Sequence, residues 1–302
     1  LQQAYLPEGS IMLPNDCGTA PGCIIEDGPV RVVMLPGPPR ECVTMLRNYV
    51  MPYLQKLSGA VIRSHMIRFF GIGESSMETR LRSFMDGANP TVAPYSREGE
   101  CWVRVTAKGA NEQECEALME PVIEDICDKM GDLVYGIDCA SLEERVLQLL
   151  QEKNTSLAVA ESCTGGLLAQ RITDIPGASE FFLGGVTTYT NEAKAKLLGI
   201  DPKLIEEKTA VSYEVAKQMA ERVRALLGAD MGIGVTGLAG PDGDGVHEVG
   251  TVFVSLATKD GTYVRELHVG DRRTRSYVRR VSGNYIFDMM RRYLQGLSLI
   301  HI

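Results

Sequence analysis

The period of the hydrophobic pattern changes along the chain, and the changes divide it into three segments. In residues 1–62, two apolar runs flank Asp27-Gly28, which is typical of a hairpin, and Arg40–Leu57 then repeats apolar residues with a helical period. Two strands and one helix offer too few apolar faces to close a core. We therefore expect either that further sequence precedes this segment or that it packs against another surface.

The second segment, residues 63–137, combines both periods. Its predicted strands are Ser64–Gly71, Thr91–Tyr95 and Cys101–Lys108, and its predicted helices are Glu74–Met85 and Glu112–Met130. The simplest arrangement is a three-stranded sheet with two helices on one side, a small α+β domain. Acidic residues outnumber basic ones, which disfavours nucleic-acid binding, so we expect a spacer or a dimerisation module.

The third segment, residues 138–296, alternates strands and helices. The predicted strands are Thr155–Ala160, Gly185–Tyr189, Met231–Thr236, Gly250–Ala257 and Tyr263–Val269, and the main helices are Leu142–Lys153, Asn191–Leu198, Tyr213–Leu227 and Arg273–Leu294. This order predicts an α/β fold, a three-layer α/β/α sandwich with a mixed sheet. Residues 297–302 follow a helix stop at Gly296 and are interpreted as a non-native tail or a docked apolar tail.

Composition and charge exclude several classes of protein. The chain has 302 residues, 44% of them hydrophobic and 23% charged, which predicts a globular protein of about two domains. Its net charge of -8 argues against extensive nucleic-acid binding but permits a local anion site. The cysteines lack Cys-x-x-Cys spacing, and neither a signal peptide nor a membrane-spanning stretch is evident. We therefore expect a cytoplasmic protein without membrane or direct nucleic-acid partners.

The run Ala160–Gly166 (AESCTGG) carries the first candidate chemistry. It joins a predicted strand to the helical pattern that starts at Leu167, so it places hydroxyls and backbone N–H groups at a helix N-terminus. Such an end attracts phosphate or a developing oxyanion, and we expect the N–H groups around Thr164, Gly165 and Gly166 to supply that site. The alternative is that these residues only cap the helix.

Three further side chains emerge near the same edge of the predicted sheet. Tyr189 ends one strand, Thr236 ends another, and Lys194 lies in the first turn of a helix, where its charge opposes the helix dipole. A residue that violates such a local preference favours a functional site at that position. The alternative is that the lysine points into water. Together with Ser162, a tyrosine and a lysine provide the nucleophile and base needed to hydrolyse an amide. Cys163 lacks a histidine partner and is interpreted as core packing.

An arginine-rich stretch opens the last predicted helix. Arg272, Arg275 and Arg279 share one helical face, which is suited to binding a phosphate or is simply solvated. His247 and His268 are interpreted as structural. No carboxylate–histidine cluster indicates a metal site in this segment, so we expect no metal.

Several motifs in fixed order resemble the carboxy-terminal domain of the competence/damage-inducible CinA family. They are Ala160–Gly166, Gly184–Val186 with Tyr189-x-Asn191-x-x-Lys194, Ala210–Ser212, Val235–Pro241 and Val249–Val252. The resemblance covers residues 138–296 and implies a nicotinamide-nucleotide amidase, which converts nicotinamide mononucleotide to nicotinate mononucleotide and ammonia without a cofactor. One departure is Thr209, where the family usually has a glycine.

The resemblance also implies roles for individual residues. Ser162 would be the nucleophile or would hold the substrate amide, with Tyr189 and Lys194 as its acid–base partners. Arg275 or Arg279 would bind the 5′-phosphate. The implied substrate-binding residues are Thr164, Gly165, Gly166, Thr236, Gly237, Gly240, Arg275 and Arg279. Whether an acyl-enzyme forms, or Ser162 orients a water, is left open by the sequence.

The resemblance extends upstream. Asn15–Gly22 and Leu35–Glu41 are similar to the closing part of a molybdopterin-binding-like domain, and residues 63–137 to a KH-like linker domain. In the family the first domain is linked to metal-dependent ADP-ribose pyrophosphatase activity, but most of it is absent here, so a divalent metal is expected only for that incomplete domain. The family implies a homodimer. The alternative functions are a non-catalytic binding protein in competence or recombination, and the pyrophosphatase.

Overall fold

The computed structural model describes residues 5–97, 99–270 and 273–299. By their contacts, the chain up to Ser64 forms one compact unit with Thr106–Pro121, and His65–Val105 forms the other with the chain from Val122 onward. The predicted boundaries near residues 62 and 137 mark changes of pattern along the sequence and stay predictions. Arg272 and residues 300–302, which entered the predictions above, lie outside the described residues.

The first segment contains the predicted hairpin. Its elements are β1 (Ile11–Leu13), β2 (Gly22–Asp27), β3 (Val30–Met34), α1 (Pro39–Met45), a π-helical turn (Leu46–Val50) and α2 (Met51–Ser58). The three strands form an antiparallel sheet in the order β1-β2-β3, with Asp27 paired to Val30 across the turn. The buried side chains of its apolar cluster are few: Leu13, Ile24, Met45 and Val50. The strand β1 was not predicted, and the expectation that the segment provides too few apolar faces by itself stays a prediction.

The second segment has one strand more than the sequence predicts. Its elements are β4 (Val61–Phe70), α3 (Glu74–Met85), β5 (Thr91–Arg97), β6 (Glu100–Gly109), α4 (Glu112–Met130) and β7 (Val134–Ile137). The sheet order is β5-β6-β4-β7, and β7 pairs antiparallel with β4. The predicted three-stranded sheet is therefore corrected to four strands. A four-residue strand after a long helix is too short to show a period of two.

The third segment follows the predicted alternation. Its elements are α5 (Leu142–Lys153), β8 (Leu157–Glu161), α6 (Leu167–Thr173), β9 (Phe182–Thr187), α7 (Asn191–Leu198), α8 (Pro202–Lys208), α9 (Tyr213–Leu227), β10 (Met231–Gly237), β11 (Thr251–Thr258), β12 (Gly261–His268) and α10 (Arg275–Gln295). No helix in the described ranges is long and apolar enough to cross a lipid bilayer.

The five strands of this segment form one mixed sheet in the order β12-β11-β10-β8-β9. The strands β10, β8 and β9 run parallel, whereas β11 and β12 are antiparallel to their neighbours. Both faces are covered. Ala158 and Ala160 of β8 pack with α7, α8 and α9, while Leu157 and Val159 pack with α5, α6 and α10. The predicted three-layer α/β/α sandwich with a mixed sheet is confirmed.

This topology determines where the loops meet. Because β8, β9 and β10 are parallel neighbours, their carboxyl ends lie at one edge of the sheet. Ser162 follows β8, and Tyr189 and Lys194 follow β9. Gly237 is the last residue of β10, and Gly240 lies in the loop after it. Ligands bind α/β sheets at this edge. The fold thus brings the predicted residues of three separate loops into one region.

Candidate active site

Lys194 and Ser162 form a buried hydrogen-bonded pair. The Nζ atom of Lys194 donates to Ser162 Oγ at 2.9 Å and to the backbone carbonyl of Thr188 at 2.9 Å. Ser162 is 7% exposed and Lys194 only 1%. The alternative that Lys194 points into water is therefore wrong. Its helix begins at Asn191 and is capped by Thr190, whose side chain accepts from Ala193 N.

The environment of Lys194 favours the neutral amine. Burial lowers the pKa of its ammonium, and the nearby Cys163 only partly opposes this shift. No carboxylate of the described residues lies within ion-pair distance of Nζ, so no counter-charge restores the ammonium. A lowered pKa is the direction that a lysine needs in order to act as a general base.

The pair lies at the inner end of a cavity of about 230 Å³. Of the predicted site residues, seven line this cavity: Ser162, Tyr189, Lys194, Thr236, Gly237, Gly240 and Arg275. The volume is below the range of about 300–1,000 Å³ usual for drug-sized ligands. The cavity therefore suits the reacting portion of a small molecule, with the remainder extending outward.

The outer end of the cavity carries a cation and a phenol. Arg275, at the start of α10, donates from Nη1 to the Gly240 carbonyl at 2.6 Å and from Nη2 to the Tyr189 hydroxyl. Tyr189 is 57% exposed. Its hydroxyl thus contacts Arg275, and no hydrogen bond joins it to Ser162 or Lys194 within the described chain. The prediction that Tyr189 is an acid–base partner of Ser162 is therefore corrected. Tyr189 lies on the cavity rim instead.

The N-terminus of α6 is occupied by a side chain of the same protein. Glu161 is 1% exposed, and its carboxylate accepts from the backbone N–H groups of Gly166 (3.0 Å), Leu168 (3.1 Å) and Ala169 (2.9 Å). Gly165 N donates to the Ser162 carbonyl at 3.0 Å. The expectation that the N–H groups of Gly165 and Gly166 bind phosphate or an oxyanion is therefore corrected, because their hydrogen bonds are already made. Both glycines instead provide the left-handed turn, with φ of 58° and 92°.

Thr164 and Arg279 lie behind the cavity. Thr164 is fully buried, and its carbonyl accepts from Arg279 Nη2 at 2.6 Å and Nε at 3.1 Å. Neither residue belongs to the cavity lining. Two predictions are corrected accordingly. Arg279 does not lie where it would bind the phosphate, and Thr164 does not lie where it would contact the substrate. Arg279 holds the loop that carries Ser162, and among the described arginines it is Arg275 that lines the cavity.

The far wall of the cavity is formed by two backbone segments held together by Thr236. The Thr236 hydroxyl donates to the Ala210 carbonyl at 2.7 Å. Gly237 leaves no room for a side chain, since a Cβ atom would lie 2.7 Å from Val252 Cα. Thr209, just before Ala210, has φ of 66° and ψ of 161°, a conformation that favours glycine. Thr209, which stands where the family usually has a glycine, thus keeps a glycine-like backbone conformation despite its side chain.

Sequence reasoning left several lining residues without a role. Asn191, Ala210, Val211, Leu238, Ala239 and Asp242 line the cavity. Five of them stand in the motifs quoted above, and Asp242 directly follows the motif Val235–Pro241, so position in or beside a motif was their available signal. Thr188, whose carbonyl binds Lys194, carried no such signal, because backbone acceptors do not depend on residue type.

Cys163 also borders the cavity but is a poor nucleophile. It is 6% exposed, and burial raises the pKa of its thiol to about 12. The interpretation as core packing is consistent with its place in the apolar cluster beneath the sheet. In the described ranges, no group of three or more His, Cys, Asp or Glu side chains is placed to hold a metal ion. The metal expected for the incomplete first domain stays a prediction.

Comparison with known families matches both of the larger segments. Residues 139–294 match the CinA C-terminal domain, and residues 64–136 match the KH domain of damage-inducible protein CinA. A CinA-like protein of Desulfovibrio desulfuricans is 49% identical over 303 residues, which cover 99% of this chain and 71% of that protein.

This chain belongs to the CinA family.

Other CinA proteins agree with this assignment. A CinA-like protein of Dictyoglomus thermophilum is 42% identical over 299 residues, covering 98% of this chain and 72% of its own length. The crystal structure of a CinA superfamily protein from Klebsiella pneumoniae is 26% identical and aligns with a TM-score of 0.50, covering 51% of this chain and 96% of the other. The four-stranded segment is accordingly the KH-like domain of CinA, and the sandwich is its C-terminal domain.

Proposed function

We propose that the C-terminal domain hydrolyses the carboxamide of nicotinamide mononucleotide to nicotinate mononucleotide and ammonia. The observation that carries the proposal is the buried pair of Lys194 Nζ and Ser162 Oγ, 2.9 Å apart. A hydroxyl as nucleophile and an adjacent desolvated amine as its base are the groups that acyl transfer from an amide requires at minimum. The identity of the proposed substrate comes from the family resemblance, and the geometry of the cavity supports it.

The chemistry begins with the neutral form of Lys194. One of its N–H groups stays bound to the Thr188 carbonyl, which orients the lone pair toward the Ser162 hydroxyl. Lys194 then takes the Ser162 proton as Oγ attacks the carboxamide carbon. When the C–N bond breaks, Lys194 returns this proton to the nitrogen, which leaves as ammonia. A water molecule hydrolyses the acyl-enzyme by the same route in reverse.

The shape of the cavity supports the orientation of the substrate. Its inner end, at Ser162 and Lys194, is buried and fits the carboxamide, while Tyr189 and Arg275 lie exposed at the outer end. The guanidinium of Arg275 is already fixed by the Gly240 carbonyl, so it meets a ligand in one orientation. We assign the 5′-phosphate to Arg275, since guanidinium groups bind phosphate bidentately. Tyr189 then contacts the ribose or the phosphate.

Ammonia release from nicotinamide mononucleotide tests the proposal directly. We expect the 302-residue protein to release ammonia and Ser162→Ala to lose at least about 10³-fold in kcat, as expected when a nucleophile is removed. Ser179→Ala is the matched control, because Ser179 is exposed and away from the cavity. The proposal fails if wild type releases no ammonia, and the mechanism fails if Ser162→Ala retains the activity of Ser179→Ala.

A further inference from the structure

A second cavity lies in the unit formed by His65–Val105 and the chain from Val122 onward. Its volume is about 540 Å³, more than twice that of the candidate active site. Its walls come from β4, β6 and the end of β5 on one side and from α5, α6 and α10 on the other. The volume lies within the range of small-molecule sites.

The lining of this cavity is strongly basic for a protein of net charge -8. Its charged residues are Arg68, Arg97, Arg171 and Arg280 against Glu100 and Glu143. Guanidinium groups from four separate elements thus face one space, with only two carboxylates among them. A local excess of this kind attracts an anion regardless of the overall charge.

Both carboxylates are already engaged by the protein. Glu143 accepts from Arg171 Nε at 2.5 Å, and Glu100 accepts from the Tyr135 hydroxyl at 2.7 Å. Arg171 is fixed further by the Arg280 carbonyl and by Asn284 Oδ1, at 3.0 and 2.6 Å. Glu143 is thus paired with Arg171, whose guanidinium is held in place, and the four arginines of the lining still outnumber its two carboxylates.

Arg68 is the least satisfied of the four arginines. Its Nε atom is buried and has no hydrogen-bond partner in the described part of the chain. Its guanidinium lies 5.3 Å from the centre of the Trp102 ring. A buried donor without an acceptor costs free energy unless a ligand supplies the acceptor.

Trp102 determines which kind of anion fits. It stacks on Tyr95 with ring centres 5.9 Å apart and planes inclined by 7°. In the sheet, the strand of Trp102 lies between the strands of Tyr95 and Arg68, so both faces of the indole are occupied. A nucleobase therefore has no free face on which to stack. The chemistry available to a ligand consists of guanidinium groups and the indole edge.

We propose that this cavity binds a diphosphate group. Several guanidinium groups converge on a space larger than the candidate active site, and their planar donors match phosphate oxygens. The diphosphate belongs either to free pyrophosphate or to a nucleoside diphosphate. The site is independent of the amidase proposal, because it shares no lining residue with the candidate active site.

The single tryptophan of the chain provides a specific reporter. Trp102 lines the second cavity, so binding there changes its fluorescence, whereas binding at Ser162 and Arg275 does not. Inorganic pyrophosphate is titrated into the 302-residue protein at low ionic strength, with fluorescence and calorimetry recorded together. ADP forms a second arm. Tighter binding of ADP assigns the site to a nucleoside diphosphate, and equal or weaker binding assigns it to pyrophosphate.

Charge-matched variants locate the site. Arg97→Ala/Arg280→Ala removes two exposed cavity arginines, and Arg80→Ala/Arg222→Ala removes two exposed arginines elsewhere. We expect saturable binding of one pyrophosphate per chain, about tenfold or more weaker in the cavity variant and nearly unchanged in the control.

Three results would overturn the proposal. The first is the absence of saturable pyrophosphate binding by wild type. The second is heat of binding without a change in Trp102 fluorescence, which places the anion elsewhere. The third is equal loss of affinity in the two double variants, since net charge then accounts for binding.

Discussion

At the scale of single residues, Arg275 joins the two sides of the cavity rim. Its guanidinium contacts the Gly240 carbonyl and the Tyr189 hydroxyl, and it is the arginine that the cavity exposes to a ligand. If it binds the 5′-phosphate, Arg275→Ala should raise KM for nicotinamide mononucleotide by about tenfold or more, a loss of roughly 1.4 kcal/mol or more of binding. Steady-state ammonia release measures this change.

The dephosphorylated substrate separates phosphate binding from a general disturbance of the site. Nicotinamide riboside lacks the phosphate, so Arg275→Ala should change its kcat/KM little relative to wild type. Arg222→Ala, an exposed arginine on α9, controls for the loss of one positive charge. An equal loss for both substrates in Arg275→Ala would remove phosphate binding from the account.

Thr209 combines a β-branched side chain with a backbone that favours glycine. At φ of 66° and ψ of 161°, any Cβ atom is strained. We expect Thr209→Gly to be more stable than Thr209→Ala by about 1 kcal/mol, although glycine costs more entropy on folding. The free energy of unfolding in urea measures the difference, and both variants lack the hydroxyl that donates to the Val211 carbonyl.

The same pair of substitutions in a helix gives the opposite order and serves as control. Thr173 ends α6 with ordinary helical geometry, so Thr173→Ala should be the more stable variant there. If Thr209→Ala equals or exceeds Thr209→Gly in stability, position 209 does not hold the strained backbone described above.

Single residues also show what the sequence can and cannot predict about the site. Lys194 could be recognised in the sequence because a lysine in the first turn of a helix opposes the helix dipole. Its buried contact with Ser162 is the physical reason that a lysine stands at this position. Glu161 was not recognised, although it is the buried acid next to a helix start. Its carboxylate binds backbone donors of the following turn, and only coordinates reveal that those donors are taken.

At the scale of elements, the start of α6 depends on one buried side chain. Glu161 satisfies three of its N-terminal N–H groups from a site shielded from water. Glu161→Gln replaces one acceptor oxygen by a donor that faces other donors, so we expect it to lower the free energy of unfolding by roughly 1–3 kcal/mol. Chemical denaturation measures the loss.

The exposed Glu180, in the short 3₁₀ turn before β9, supplies the matched control Glu180→Gln. That substitution should change stability by less than about 0.5 kcal/mol. If both variants unfold at the same denaturant concentration, Glu161 does not hold the start of α6. Since Ser162 follows Glu161 directly, we also expect Glu161→Gln to reduce ammonia release.

Elements with a clear period and clear ends could be predicted from the sequence. Five predicted helices, among them Glu74–Met85 and Tyr213–Leu227, have the predicted bounds. The helix α8 was missed because seven residues between two turns show less than two helical repeats. The predicted strand Gly185–Tyr189 begins earlier, at Phe182, since pairing with β8 rather than local preference sets its register.

At the scale of the whole molecule, the site depends on strand direction. The parallel order of β10, β8 and β9 brings together residues that are 32 positions apart in the sequence, such as Ser162 and Lys194. Sequence patterns predicted the loops and the sandwich. They did not predict which loop atoms remain open to a ligand, because that depends on packing between α10 and the loop that carries Ser162.

The pH dependence of ammonia release from nicotinamide mononucleotide tests the central claim that neutral Lys194 is the base for Ser162. Burial lowers the pKa of Lys194, so the neutral, active fraction increases as pH rises through a value below the ordinary lysine pKa of about 10.4. We predict that kcat/KM of wild type rises with pH and levels off below that value. Lys196→Met, altered at an exposed lysine of the same helix, should retain this profile, and Lys194→Met should lose both the rise and most of the activity. Activity in Lys194→Met that still rises through the same pH range would contradict the account.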